Sequence, residues 1–85
     1  MYAVTFKESA RRELYALPSK MLKRVAEAID RLSQNPRPPG VKKLKGETHP
    51  LWRVRTGDYR IIYAIDDAIR IVNIRRIGHR KEVYD

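Results

Sequence analysis

The sequence predicts an α+β fold: an N-terminal strand, an antiparallel helix hairpin, then a mainly antiparallel sheet of about four strands with the helices packed on one face. Three observations lead there. Apolar residues alternate in the opening MYAVTF, recur at helical spacing from Ala10 to Leu32, and alternate or run continuously again from Leu51 onward. Pro18 divides the helical half, and NPRPPG (35–40) divides that half from the strands.

Each element follows from its local pattern. Tyr2, Val4 and Phe6 share one face of a short strand. Ser9 is placed to cap a first helix whose stripe is Ala10, Leu14 and Leu17. Pro18 disfavours helix at the residue before it, so a second helix starts afresh near Ser19 and runs to about Gln34. Its buried stripe is Leu22, Val25, Ile29 and Leu32, with Met21, Ala26 and Ala28 beside it. Lys20, Lys23, Arg24, Glu27, Asp30 and Arg31 form its outer face. A short strand around Lys42 to Lys45 is expected at a sheet edge. LWRVRT (51–56) puts Trp52 and Val54 on one side and Arg53 and Arg55 on the other. Gly57-Asp58 makes a turn, and YRIIYAI (59–65) reads as a central strand covered on both faces. After a turn at Asp66-Asp67, IRIVNIRRI (69–77) is the last strand. Gly78 then lets the chain turn back across the sheet.

The 85 residues, 42% of them apolar, suffice for one thin core, so residues 1–85 are read as a single domain. Cysteine is absent, which removes disulfides and thiolate metal sites. The opening MYAVTFKESARRE carries charge early and lacks a signal-like apolar run. No stretch approaches the roughly 20 apolar residues of a membrane span, so the expectation is a cytoplasmic protein without membrane contact. Nineteen Lys and Arg against ten Asp and Glu leave a net charge of +9. Such self-repulsion suits a polyanion or an acidic protein partner. The excess is uneven: residues 41–60 hold six basic residues against two acidic ones, while residues 1–35 hold seven against four.

The basic residues of the strand half carry the chemistry. Arg53 and Arg55 stand on one face, and Arg60 lies across the tight turn on the next strand. Guanidinium forks match phosphate oxygens bidentately, so this set is a candidate anion site; a solvated strand face is the plainer reading. Lys42, Lys43 and Lys45 can guide phosphates, protect a sheet edge, or do both. In the closing IGHRKEVYD, Arg80 and Tyr84 come within reach of the arginine face if the chain folds back. A tyrosine there can stack on a base and give up a proton. The plainer reading packs Tyr84 on the sheet edge or leaves it in solvent. His79 can transfer protons near neutrality, or simply be solvated; His49 fits a turn.

Neither HExxH, nor a paired acidic cluster, nor GxGxxG, nor GxxxxGK[ST] is present, so no metal or nucleotide cofactor is expected. A cationic site with tyrosine fits metal-free RNA cleavage, in which the ribose 2′-hydroxyl attacks its adjacent phosphate. Arginines would stabilise charge on the phosphoryl oxygens, and Tyr84 or His79 would protonate the departing 5′-oxygen. The base stays open among Glu47, Glu82 and a neutral His79. DNA lacks the nucleophile.

LKG (44–46), LWRVRTGDYRIIY (51–63) and IGHRKEVYD together resemble the RelE group of the RelE/ParE toxin superfamily, small toxins of type II toxin–antitoxin pairs. The likeness covers nearly the whole chain, including the helix pair with its central proline. It implies a fold of the microbial RNase type and an endoribonuclease that cuts mRNA in the ribosomal A site without metal. By position, Arg53 and Arg55 match two basic residues of the family's central strand, and Arg60 an arginine just after the turn and its tyrosine. Arg80 matches the arginine near the C-terminus, and Tyr84 the tyrosine that stacks on the substrate base. Lysine often stands in the family where this chain has Arg53 and Arg55, which leaves charge stabilisation as their implied role. The segment from Gly78 to Tyr84 is shorter than in some relatives, and His79 has no uniform counterpart. The implied partner is an acidic RelB-like antitoxin that wraps the basic face. DNA would be met only indirectly, through that antitoxin complex. Two other readings remain: a ParE-like toxin that inhibits gyrase, and a non-catalytic RNA-binding sheet.

Overall fold

The computed structural model describes residues 1–45 and 50–81. Strand β1 (Ala3–Phe6) leads into helices α1 (Glu8–Tyr15) and α2 (Ser19–Gln34). Strands β2 (Lys42–Leu44), β3 (Leu51–Thr56), β4 (Tyr59–Asp66) and β5 (Ile71–His79) follow. The sheet order is β1-β5-β4-β3-β2, with β1 parallel to β5 and every other pair antiparallel. The sheet has five strands where about four were expected, because β1 joins it beside β5. β4 is its middle strand, as the continuous apolar run YRIIYAI suggests, and Ile61, Ile62 and Tyr63 are all buried there.

The core lies between the sheet and the helices. Ala10 and Leu14 of α1 and Val25, Ala28, Ile29 and Leu32 of α2 meet Ile61 and Tyr63 of β4 and Val72, Ile74 and Ile77 of β5. Tyr2, Val4 and Phe6 pack against this cluster from β1 and its approach, and Trp52 and Val54 from β3. One interruption makes the last strand fit. Tyr63 pairs with Ile74 while Ile62 pairs with Arg76, so Arg75 is an extra residue on β5. In a strictly alternating strand Ile74 and Ile77 would face opposite ways. The bulge lets both enter the core.

Beyond Ile74, β5 has no partner on the β1 side, since β1 ends at Phe6 opposite Ile74. An open edge needs acceptors for its amides. Glu13 of α1 supplies one: its Oε1 accepts the Ile77 N–H at 2.9 Å, and Oε2 lies 3.4 Å from the Arg76 guanidinium.

Three boundaries differ from the sequence reading. Ser9 is not the N-cap; α1 begins two residues earlier than that cap would give, with extended Lys7 at the cap and Glu8 in the first turn, where a carboxylate favours the helix dipole. The helix ends at Tyr15, and Leu17 packs on the core from beyond it. The last strand spans Ile71–His79, not 69–77, because its pairing with β4 continues to Tyr59 opposite His79. Gly78 therefore lies inside β5 opposite Arg60 and does not turn the chain.

The proline-rich connector is tied down at two points. The buried Tyr63 hydroxyl donates to the Pro36 carbonyl at 2.6 Å, and burial raises that phenol's pKa. Arg37 makes a two-pronged contact with Asp67 (2.9 and 3.3 Å), whose Oδ1 also accepts the Tyr2 hydroxyl at 2.6 Å. Arg37 also lies over the Trp52 ring, 5.0 Å from its centroid.

Candidate active site

The site is built on the β3–β4 hairpin. Period two sends Trp52 and Val54 to the core, so Arg53 and Arg55 stand on the sheet face away from the helices. Arg55 pairs directly with Arg60 across the turn, and Arg53 with Ile62. Gly57 takes a positive φ of 59° in that turn, a conformation natural to glycine. The pairing places Arg53, Arg55 and Arg60 on one surface. Their exposure differs: Arg55 is open to solvent, Arg60 is half-buried, and Arg53 retains only 4% of its surface. Burial, and then the like charges of Arg55 and Arg60, lower the Arg53 pKa from its ordinary value. The three guanidiniums therefore share one electrostatic field, which an anion among them would relieve.

Gly78 adds room. It occupies the cross-strand position opposite Arg60, so the neighbouring strand places no side chain there. Beyond β5, the Arg80 N–H donates to the Asp58 carbonyl at 2.8 Å, and the Arg80 Nε lies 3.9 Å from Asp58 Oδ1. Arg80 is thus fastened to the tip of the hairpin that carries Arg55 and Arg60.

The remaining sequence candidates divide. Lys42 lies opposite Arg53 and shares its face. Lys43 lies opposite Trp52, and its Nζ is 5.8 Å from that ring on the other side of the sheet. Lys45 follows β2 and is exposed. His79 pairs with Tyr59, whose ring packs on the core, so the imidazole stands on the helix side and away from the arginines. Tyr84, Glu47, Glu82 and His49 lie outside the described residues. Among the described residues, no three His, Asp or Glu side chains come together as a metal ion would require.

Sequence reasoning passed over Asp58 except as a turn residue, yet it docks Arg80. It also left Arg24 on the outer face of α2; its guanidinium nitrogens lie 3.9 Å from where a Gly57 Cβ would stand. No signal in the sequence ties Arg24 to that turn.

A family model described as "ParE toxin of type II toxin-antitoxin system, parDE" matches residues 4–84. Toxin RelG of Mycobacterium tuberculosis is 40% identical over 84 residues, covering 98% of this chain and 95% of that protein. Toxin RelE of the same organism is 37% identical over 84 residues, covering 98% and 86%. Among solved structures, the archaeal RelE–RelB complex from Pyrococcus horikoshii OT3 contains a chain that superposes with a TM-score of 0.82 at 30% identity, covering 96% of this chain and 98% of that one. The toxin–antitoxin complex RelBE2 of M. tuberculosis gives 0.79 at 40% identity, covering 93% and 98%.

Proposed function

This chain belongs to the RelE group of the RelE/ParE toxin superfamily, and we propose that it acts as an endoribonuclease that cuts mRNA in the ribosomal A site. It is a toxin of the type II toxin–antitoxin class. The observation that carries the nuclease reading is the direct pairing of Arg55 with Arg60, with Arg80 fastened to the same hairpin tip. Converging guanidiniums suit a substrate whose negative charge grows as it reacts.

In the proposed reaction the ribose 2′-oxygen bonds to the adjacent phosphorus as the bond to the 5′-oxygen breaks. The products are a 2′,3′-cyclic phosphate and a free 5′-hydroxyl. Arg55, Arg60 and Arg80 stabilise charge on the phosphoryl oxygens. Arg53 sits behind them, and its buried charge strengthens the field that holds the phosphate. Tyr84, four residues beyond Arg80, would stack on the base and protonate the leaving oxygen. His79 was the other candidate for that proton. Lys42 and Lys45 extend the phosphate track along the sheet edge, whereas Lys43, on the helix side with Trp52, stands off it. The expected partner is an acidic RelB-like antitoxin, as in the RelE–RelB and RelBE2 complexes of the relatives. A net charge of +9 suits it. The site of action would be the cytoplasm, where the ribosomes are, and DNA would be met only through the antitoxin.

Primer extension on an mRNA, with and without ribosomes, tests the reading. Wild type should produce ribosome-dependent cuts, and Arg80→Ala should lose them by roughly 10²–10³-fold while still binding ribosomes. Intact mRNA together with inhibited gyrase supercoiling would overturn it in favour of the ParE-like reading, which the name of the matching family model keeps in view. Equal losses of binding and cleavage would favour a non-catalytic RNA-binding sheet.

A further inference from the structure

We propose that His79 is a positioning residue that fixes the path of the chain through Arg80, and that it does not supply the proton to the departing oxygen. The proposal rests on the nuclease reading above. His79 is the last residue of β5, and its ring meets Tyr59 edge-on, with centroids 5.6 Å apart and planes at 82°. Tyr59 packs on the core, so the imidazole lies on the helix side of the sheet. Its neighbours in the ladder, Gly78 and Arg60, lie on the arginine side. A proton carrier there would have to reach around the strand end.

What the imidazole does in this position is accept a hydrogen bond. The Lys81 N–H donates to His79 Nδ1 at 3.2 Å, so Nδ1 is the accepting nitrogen. One residue earlier, the Arg80 N–H donates to the Asp58 carbonyl. Both peptide groups that flank the Arg80 Cα are thus held, one by the hairpin tip and one by His79. At a strand end, where the ladder stops supplying partners, this pair of bonds sets the direction of the chain. It sets the reach of the Arg80 guanidinium in turn.

The geometry is that of an Asx turn, in which a side-chain acceptor takes the N–H two residues on. Asparagine can make the same bond with Oδ1 and has no group able to carry a proton near neutrality. Glutamine has an equally inert amide, but one methylene further out. A positioning role therefore predicts a ranking that a proton-transfer role does not.

Single-turnover cleavage of ribosome-bound mRNA should be measured for wild type, His79→Asn, His79→Gln and His79→Ala, with ribosome affinity measured in parallel. His79→Asn should cleave within about threefold of wild type, whereas His79→Ala should lose about 10–100-fold at unchanged affinity, the scale of a small misplacement of a catalytic group. His79→Gln should fall between them, and this comparison stands even if the alanine variant does not fold. Asparagine and glutamine variants equally inactive beside an active wild type would overturn the proposal. Amide exchange at Lys81 separates its failure from that of the nuclease reading. If wild type does not cleave mRNA, the nuclease reading falls. The hydrogen bond itself is still judged by Lys81 protection, which should be kept in His79→Asn and lost in His79→Ala. Equal protection in all variants would overturn it.

Discussion

Replacing Arg55 by glutamine should lower activity and raise stability in the same molecule. Arg55 and Arg60 are directly opposed on β3 and β4, a geometry that sets Cβ atoms about 4.5–5.5 Å apart. Two unit charges about 6 Å apart in a water-like dielectric repel by about 332/(80 × 6), or ~0.7 kcal/mol. At physiological salt the screening length is about 8 Å, which trims this to about 0.3–0.5 kcal/mol. A chain of this size shifts its melting temperature by about 4–8 °C per kcal/mol, so Arg55→Gln should melt about 1–4 °C higher than wild type. Glutamine keeps most of the aliphatic stem, so little packing is lost. The gain should vanish near 1 M salt, where screening acts within about 3 Å. On the proposed nuclease reading the variant also loses one donor to the developing phosphoryl charge, which should slow single-turnover cleavage on programmed ribosomes by about 10²–10³-fold. Thermal melts at low and high salt, run beside that cleavage assay, test both halves. An unchanged cleavage rate would remove Arg55 from the site. A lower melting temperature would mean that the paired charges are not repelling, and the argument from opposed arginines would fail.

Two further outcomes follow from contacts away from the arginines. Glu13→Ala strips the Ile77 N–H of its acceptor and should cost about 1–2 kcal/mol in urea unfolding. Glu13→Gln keeps an oxygen in place and should cost clearly less; equal losses would show that the charge, not the edge amide, matters. Hydrogen bonds from Arg37 and then Tyr2 hold the Asp67 carboxyl below its ordinary range. Its folded-state pKa lies under the unfolded one, so its contribution is full above about pH 4 and is lost as pH falls through the folded value. The urea midpoint of wild type should therefore drop on acidification below about pH 4 by more than that of Asp67→Asn, and parallel curves would count against the Arg37–Asp67–Tyr2 cluster.

Much of this was legible because the relevant signals are local. Pro18 and NPRPPG bracket α2, and its observed span, Ser19–Gln34, is the expected one. Alternation alone put Trp52 and Val54 on the core side and Arg53 and Arg55 opposite, and Gly57-Asp58 put Arg60 across the turn, where the structure pairs it with Arg55. What sequence did not give depends on partners distant along the chain. Nothing local places β1 parallel to β5, or aims Glu13 at an amide 64 residues away. The spacing of Val72, Ile74 and Ile77 breaks the period of two, but it does not reveal which residue absorbs the break. The length of β5 depends on how far β4 continues to pair, and a strand read two residues short turned Gly78 into a bend.

That single extra residue governs more than the core. A shift of one position reverses every side chain beyond it. Without Arg75 as a bulge, alternation from Ile74 would turn Arg76 and Gly78 toward the helices and His79 toward the arginines. With the bulge, Ile77 enters the core, Gly78 opens space beside Arg60, and His79 turns to the helix side, where it accepts the Lys81 amide. The same irregularity that completes the hydrophobic layer therefore clears the arginine surface and removes the imidazole from it. The hydrophobic layer and the arginine cluster are sorted onto opposite faces of one sheet. Deleting Arg75 removes the extra residue and leaves Ile74 and Ile77 facing the core, Gly78 beside Arg60 and His79 on the helix side, so urea unfolding should show the sorting kept in that variant as in Arg75→Ala.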